Sequence, residues 1–294
     1  MYHLSLSEME TYQNEGLVIP NCRLSDEIFS EIRSVVRGVI SKTSAEKPDF
    51  TLVAHVPLRE GVEDGAPDGD KIFSIATSQE ILSYIEQVFG PDVVFWGSSI
   101  FAKPAGVGKK VQWHQDSRWW PMRPLVTCTM WIAIDETTPE NGCLRYVPGS
   151  HTWEVMPHLD QIEQGLLGSS IDEDAIDQSS ARDVILKPGQ FSLHQANLVH
   201  GSEPNNSPRS RAGLVLRYMP ATSHFDRSDA DHLAAIGVMK TGDVPRYGDR
   251  PIWLVRGENR HPGNDFTCGH QGLEDLDAMA EAARCGEWSG RSAA

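Results

Sequence analysis

From residue 93 to residue 220 the chain is a succession of short β-rich runs: "VVFWGSSIFAK", "VQWHQD", "LVTCTMWIAID", "CLRYVPGS", "VILKPGQFSLHQ" and "AGLVLRYMP". Turn chemistry separates them, in Pro104 to Gly108, "TTPENG", "KPGQ" and "PNNSPRS". Strands this short and this many cannot each bury a face alone. They predict an antiparallel double sheet, a jelly roll, so the fold class is mainly β with flanking helices. One helix is expected over 25–41, where Ser25 can cap, Asp26 and Glu27 favour the first turn, and Ile28, Ile32, Val35, Val36, Val39 and Ile40 form an apolar stripe. A second, over 78–89, is stopped by Gly90-Pro91. Residues 43–72 read as a loop region over a pocket, 158–182 as an insertion between strands, and 221–270 as an irregular excursion with one late strand, "PIWLVRG". The tail holds one short helix. The expected organisation is one domain, 1–294, with helical support in 1–92, a β core in 93–220 and an excursion and tail in 221–294.

Bulk properties narrow the function. With 39% hydrophobic and 23% charged residues the chain reads as a soluble globular protein. A net charge of −15 argues against nucleic acid or an anionic membrane surface as partner and leaves a small-molecule substrate. No run approaches the length of a membrane span, and "MYHLSLSEMETYQNEG" has neither the basic nor the apolar region of a signal peptide. The five cysteines are odd in number and lack CxxC spacing, which suits free thiols in a reducing cytoplasm.

The stretch "VQWHQDSRWW" places His114 and Asp116 two apart. On a strand, i and i+2 point the same way, so imidazole and carboxylate would aim at one point. H-x-D alone is short, and a surface pair is its plainer explanation. A metal site needs a third ligand, and "FSLHQANLVHGSEPNNSPRSR" offers His194 and His200. His194 is out of phase with the strand leading to His200 and reads as a core histidine, so His200 is preferred. Two histidines and one carboxylate leave three coordination positions open, which suits non-haem Fe(II) better than a closed zinc site. Arg211, eleven positions after His200, can fix a distant carboxylate of a chelating co-substrate.

These residues resemble the phytanoyl-CoA-dioxygenase-like branch of the Fe(II)/2-oxoglutarate oxygenases. The likeness rests on "WHQD" with "WW" after it, on "WIAIDETTPENGCLRYVPGSH" and on "HGSEPNNSPRSR". It implies a double-stranded β-helix of cupin type, with His114, Asp116 and His200 as iron ligands. It further implies that Arg211 and Ser202 bind the far carboxylate of 2-oxoglutarate, with Gln115 and Trp131 flanking it, and that O2 is the oxidant. Related halogenases carry Ala or Gly in place of the ligand carboxylate, so Asp116 points to hydroxylation.

For the substrate, Trp119, Trp120 and Tyr146 offer aromatic faces for an ammonium group, and Arg118 and Arg145 offer charge for an anion. Arg123, His151, His158, Arg217 and Arg256 are further candidates. Together they suit a small zwitterion. The resemblance leans to bacterial small-substrate members similar to aminoethylphosphonate and ectoine hydroxylases, with 2-aminoethylphosphonate or its N-trimethyl analogue as the sharpest expectation. An amino acid, a betaine or a natural-product intermediate is the alternative. Outside this class stand a cupin-like metal hydrolase or isomerase, which needs no Arg211, and a binding protein. A homodimer is compatible with each of these readings.

Overall fold

The major sheet begins and ends outside the stretch that carries the strongest β signal. The computed structural model describes residues 2–42, 50–52, 54–59, 65–160, 166–167, 169–228 and 247–286. Its helices are α1 (Leu6–Glu15), α2 (Asp26–Lys42), α3 (Gly69–Ala76), α4 (Gln79–Phe89) and α5 (Glu274–Arg284). The strands are β1 (Leu17–Val18), β2 (Phe50–Leu52), β3 (Val93–Lys103), β4 (Val111–His114), β5 (Met122–Arg123), β6 (Cys128–Ala133), β7 (Leu144–Tyr146) and β8 (His158–Asp160). They continue with β9 (Ser169–Ile171), β10 (Arg182–Val184), β11 (Phe191–Gln195), β12 (His200–Ser202), β13 (Arg211–Pro220), β14 (His224–Phe225) and β15 (Trp253–Arg256).

Seven strands form the major sheet in the order β1-β11-β6-β13-β3-β15, with β2 also on β3; four form the minor sheet, β10-β7-β12-β4. The 93–220 core therefore borrows β1 and β2 from the N-terminal part and β15 from the C-terminal part. Residues Trp131 and Val215 of the major sheet pack with Tyr146 and Val184 of the minor sheet in one buried cluster, so the two sheets face each other as a jelly roll. The opposite face of the major sheet, with Met130, Ile132, Leu193, Leu214 and Leu216, packs with Ile32 and Val36 of α2, Phe73 of α3, Ile81 of α4 and Leu276 of α5. Among the described residues no helix is long and apolar enough to cross a membrane.

Local chemistry explains each helix. In α2 the stripe Ile28, Ile32, Val35, Val36 and Val39 is buried, joined by Phe29. Helix α4 starts on the Ser78 cap and ends at Gly90, whose φ of 85° only glycine adopts freely. Two helices escaped the sequence reading. One is α1, which a Ser5–Glu8 capping box starts. The other is α3, whose first half falls in the stretch read as loop and which buries Ile72, Phe73, Ile75 and Ala76. The 158–182 insertion carries the hairpin β8–β9, and the expected C-terminal helix is α5. Much of the 221–270 excursion and of the loop expected over the pocket lies outside the described residues. Arg256 is a tie between elements, with Nε 3.2 Å from Glu86, one terminal nitrogen donating to Gln79 at 2.6 Å and the other to the Ala283 carbonyl. Those bonds remove it from the substrate candidates.

Candidate active site

The register of the minor sheet builds the site. In the β12–β4 pair His200 stands directly opposite His114, and their ring centroids are 4.2 Å apart. Asp116 joins them by a different route from the one the sequence suggests. Strand β4 stops at His114, and Asp116 opens a short 3-10 turn, Asp116–Arg118. The turn, and not strand alternation, brings Asp116 Oδ1 to 3.5 Å from His114 Nε2. One ligand atom from each of His114, Asp116 and His200 lies within 4.8 Å of the others. No fourth histidine, cysteine or carboxylate joins this group among the described residues.

Each histidine is oriented by its own strand. His114 Nδ1 donates to the Gln112 carbonyl at 2.7 Å and His200 Nδ1 donates to the Leu198 carbonyl at 2.9 Å. A carbonyl only accepts, so Nδ1 carries the proton and Nε2 presents its lone pair to the shared point. Burial would raise the Asp116 pKa, but the contact with His114, the neighbouring His200 and the Arg217 cation outweigh that and hold the carboxyl below the usual carboxylate range. Burial pushes His200 down to about 4, which keeps it neutral and able to ligate. An anionic oxygen and two oriented imidazole lone pairs, with no closing ligand, fit a divalent iron ion.

His194 lies inward on β11, 5.2 Å from His200 between ring centroids, and its Nδ1 has no hydrogen-bond partner. It is therefore not the satisfied core histidine that the sequence suggested, yet it stands outside the three-ligand group. His194→Ala is expected to keep about one iron per chain and His200→Ala to lose it, because an open triad has no spare protein ligand. Metal content after desalting decides, and iron loss in His194→Ala alone would reassign the ligand.

At the far end of β13, Arg211 faces inward beside Trp131, its guanidinium 5.4 Å from the ring centroid. One terminal nitrogen donates to the Gly142 carbonyl, while Nε has no partner. Burial lowers its pKa to about 10, so it stays charged at neutral pH. Among the described residues no carboxylate forms an ion pair with it. Ser202 is buried two residues beyond His200 on β12. Sequence reasoning missed Lys103, a buried cation whose Nζ donates to the Ser202 carbonyl at 3.4 Å and to that of Glu203. Its position at the end of β3, opposite Arg211, was the available signal. Gly213 makes room for the Trp131 indole, since a Cβ there would overlap its Cζ2. Gly213→Ala should cost about 1–3 kcal/mol of stability and raise the 2-oxoglutarate KM by displacing Trp131 against Arg211. An unchanged melting temperature and KM would remove this packing argument.

Three expectations are corrected. Gln115 points away from the metal group: its amide donates to Asn197 carbonyl oxygen at 2.9 Å and accepts from the Met156 amide at 2.8 Å, so it fastens the 153–158 segment and is not free for a co-substrate. Arg145 pairs with Asp183 at 2.9 Å and lies 5.8 Å from the Trp113 ring, on the face opposite Tyr146, so it is not a pocket residue. Tyr146 shares the His200 face, but its hydroxyl donates to Glu15 at 3.0 Å and is engaged there.

The other substrate candidates lie closer. Trp119 is 5.6 Å from the His114 ring and T-shaped to His158, with its indole nitrogen unpartnered. Trp120 packs edge-on to Trp96 at 4.7 Å. Arg118 is half-buried in the turn that carries Asp116.

Residues 12–213 match the family model described as phytanoyl-CoA dioxygenase (PhyH). The peroxisomal phytanoyl-CoA dioxygenase of Bos taurus is 27% identical over 245 residues, covering 76% of this chain and 70% of that protein. A probable alpha-ketoglutarate-dependent hypophosphite dioxygenase of Stutzerimonas stutzeri is 31% identical over 194 residues, covering 65% of this chain and 62% of that protein. The crystal structure of EctD from S. alaskensis with 2-oxoglutarate and 5-hydroxyectoine shares the fold, with a TM-score of 0.61 at 18% identity over 76% of this chain and 78% of that one. The family match spans more than half of the sequence and contains every residue of the metal group. The chain belongs to the phytanoyl-CoA dioxygenase family and is a 2-oxoglutarate-dependent dioxygenase that uses Fe(II) and O2.

Proposed function

We propose that the chain hydroxylates an unactivated C–H bond of a small zwitterion, with 2-aminoethylphosphonate or its N-trimethyl analogue as the leading substrate. The carrying observation is the meeting of His114, Asp116 and His200 in a fold that also buries Arg211, facing inward on β13, without a carboxylate ion pair among the described residues. In this reading His114 and His200 ligate through Nε2 and Asp116 through a carboxylate oxygen. Arg211 takes the far carboxylate of 2-oxoglutarate, Ser202 donates to it, and Trp131 holds the guanidinium plane in place. Iron and 2-oxoglutarate together supply the oxidation that breaks the C–H bond. Trp119 and Trp120 form an apolar wall that keeps water from the reacting centre. A relative named for hypophosphite supports a small phosphorus anion as substrate. The test is succinate formation by Fe(II)-loaded protein with 2-oxoglutarate and O2 across phosphonates, betaines, amino acids and an acyl-CoA. Stimulation confined to the acyl-CoA would overturn the small-substrate reading.

A further inference from the structure

Arg211 and Arg217 both face inward on β13, with Gly213 and Val215 between them, because Ala212, Leu214 and Leu216 pack outward against the helices. Six residues of strand separate them by roughly 20 Å along the sheet. The two cations therefore serve different ends of the pocket.

Arg217 is held as if to meet something. Its guanidinium lies 5.5 Å from the Trp120 ring centroid and 6.0 Å from that of Trp96. One terminal nitrogen donates to Ser99 Oγ at 2.8 Å, and Nε has no partner. Among the described residues no carboxylate forms an ion pair with it. It lies deep in the fold yet keeps accessible surface, and its charge is felt at Asp116 and His200. Arg250, stacked 5.2 Å from the Tyr247 ring, is near enough for the two like charges to oppose each other. A flat guanidinium seated on aromatic rings offers its N–H edge to a ligand, and two like charges that form no ion pair among the described residues, with Asp116 felt only at longer range, favour an anion. The Trp120 face that the sequence offered to a substrate ammonium is thus occupied by the protein's own cation.

We propose that Arg217 anchors the anionic group of the substrate, so that the enzyme takes small carboxylates or phosphonates and rejects their neutral esters. This rests on the oxygenase reading above. The same anion chemistry is also present in 2-oxoglutarate, and the test separates the two. Succinate formation is measured for native protein, Arg217→Met and Arg217→Lys with small acids and their methyl esters. In parallel, tryptophan fluorescence is titrated with the same compounds under anaerobic conditions.

Native enzyme is expected to prefer an acid over its ester by about a hundredfold in kcat/KM, a preference that Arg217→Met reduces to a few-fold. Arg217→Lys, which keeps charge without the flat fork, should retain about a tenth of that preference. The acid-to-ester ratio within one variant is insensitive to partial misfolding. A ratio unchanged in Arg217→Met, or absent from native enzyme, overturns the proposal. A 2-oxoglutarate KM that rises in step with the loss also overturns it, because the anion held would then be the co-substrate. If no compound stimulates native enzyme, the oxygenase reading fails for these substrates and the fluorescence arm decides for Arg217. Acids that quench native protein but not Arg217→Met support the anchor, and equal quenching of both removes it.

Discussion

Asp116→Ala is expected to abolish both iron retention and succinate formation, with turnover down by more than about a thousandfold. Loss of a residue that merely supports a metal ligand already costs about 10–100-fold, and Asp116 belongs to the three-residue group proposed to hold the iron. The substitution removes the only anion in the triad and leaves two imidazoles whose lone pairs converge on an uncompensated cation. Among the described residues nothing nearby replaces it, since His194 has its ring beside His200 yet no place in the three-residue cluster. Metal analysis and a succinate assay on the same preparation check the result. Hydroxylation at the native rate would sink the assignment of the metal group.

Arg211→Met is the second large effect. Removing one partner of a buried charge pair costs about 2–5 kcal/mol, which places the loss in kcat/KM for 2-oxoglutarate between roughly 30-fold and a few thousandfold. Iron content should be unchanged, because Arg211 belongs to β13 and the ligands to β4, β12 and the turn after β4. Arg211→Lys should recover part of the affinity through its charge and lose the two-pronged geometry. A cupin-like metal hydrolase on the same scaffold predicts no effect of either substitution. Undiminished activity in Arg211→Met would favour that class.

Strand β3 could be read to the residue because turn signals bracket an uninterrupted β-rich run. The three residues that meet were legible through spacing, although a turn and not strand alternation brings Asp116 to the histidines. Side-chain alternation was applied to the histidine segments but not along the strands that carry Arg145 and Arg217. Counting by two from Arg211 reaches Arg217, and counting by one from Tyr146 turns Arg145 to the outside. Gln115 is turned from the metal group by its bonds to Asn197 and Met156, which no local pattern contains. Helix α3 was hidden because eight residues beside a polar, glycine-rich stretch give too little periodicity to register. The cross-strand pairing of His200 with His114 is a long-range fact that no local pattern contains.

The carbonyls that orient the two ligand histidines belong to residues two positions earlier on the same segment, Gln112 and Leu198. In many metalloproteins that orienting partner is a side chain, which mutation can delete. Here it is main chain, present whatever residue occupies positions 112 and 198. Substrate range can therefore drift, or be engineered, by exchanging wall residues around the metal without disturbing how its ligands are aimed. Only a change that bends the backbone itself, such as proline at the preceding positions, reaches the metal through this route.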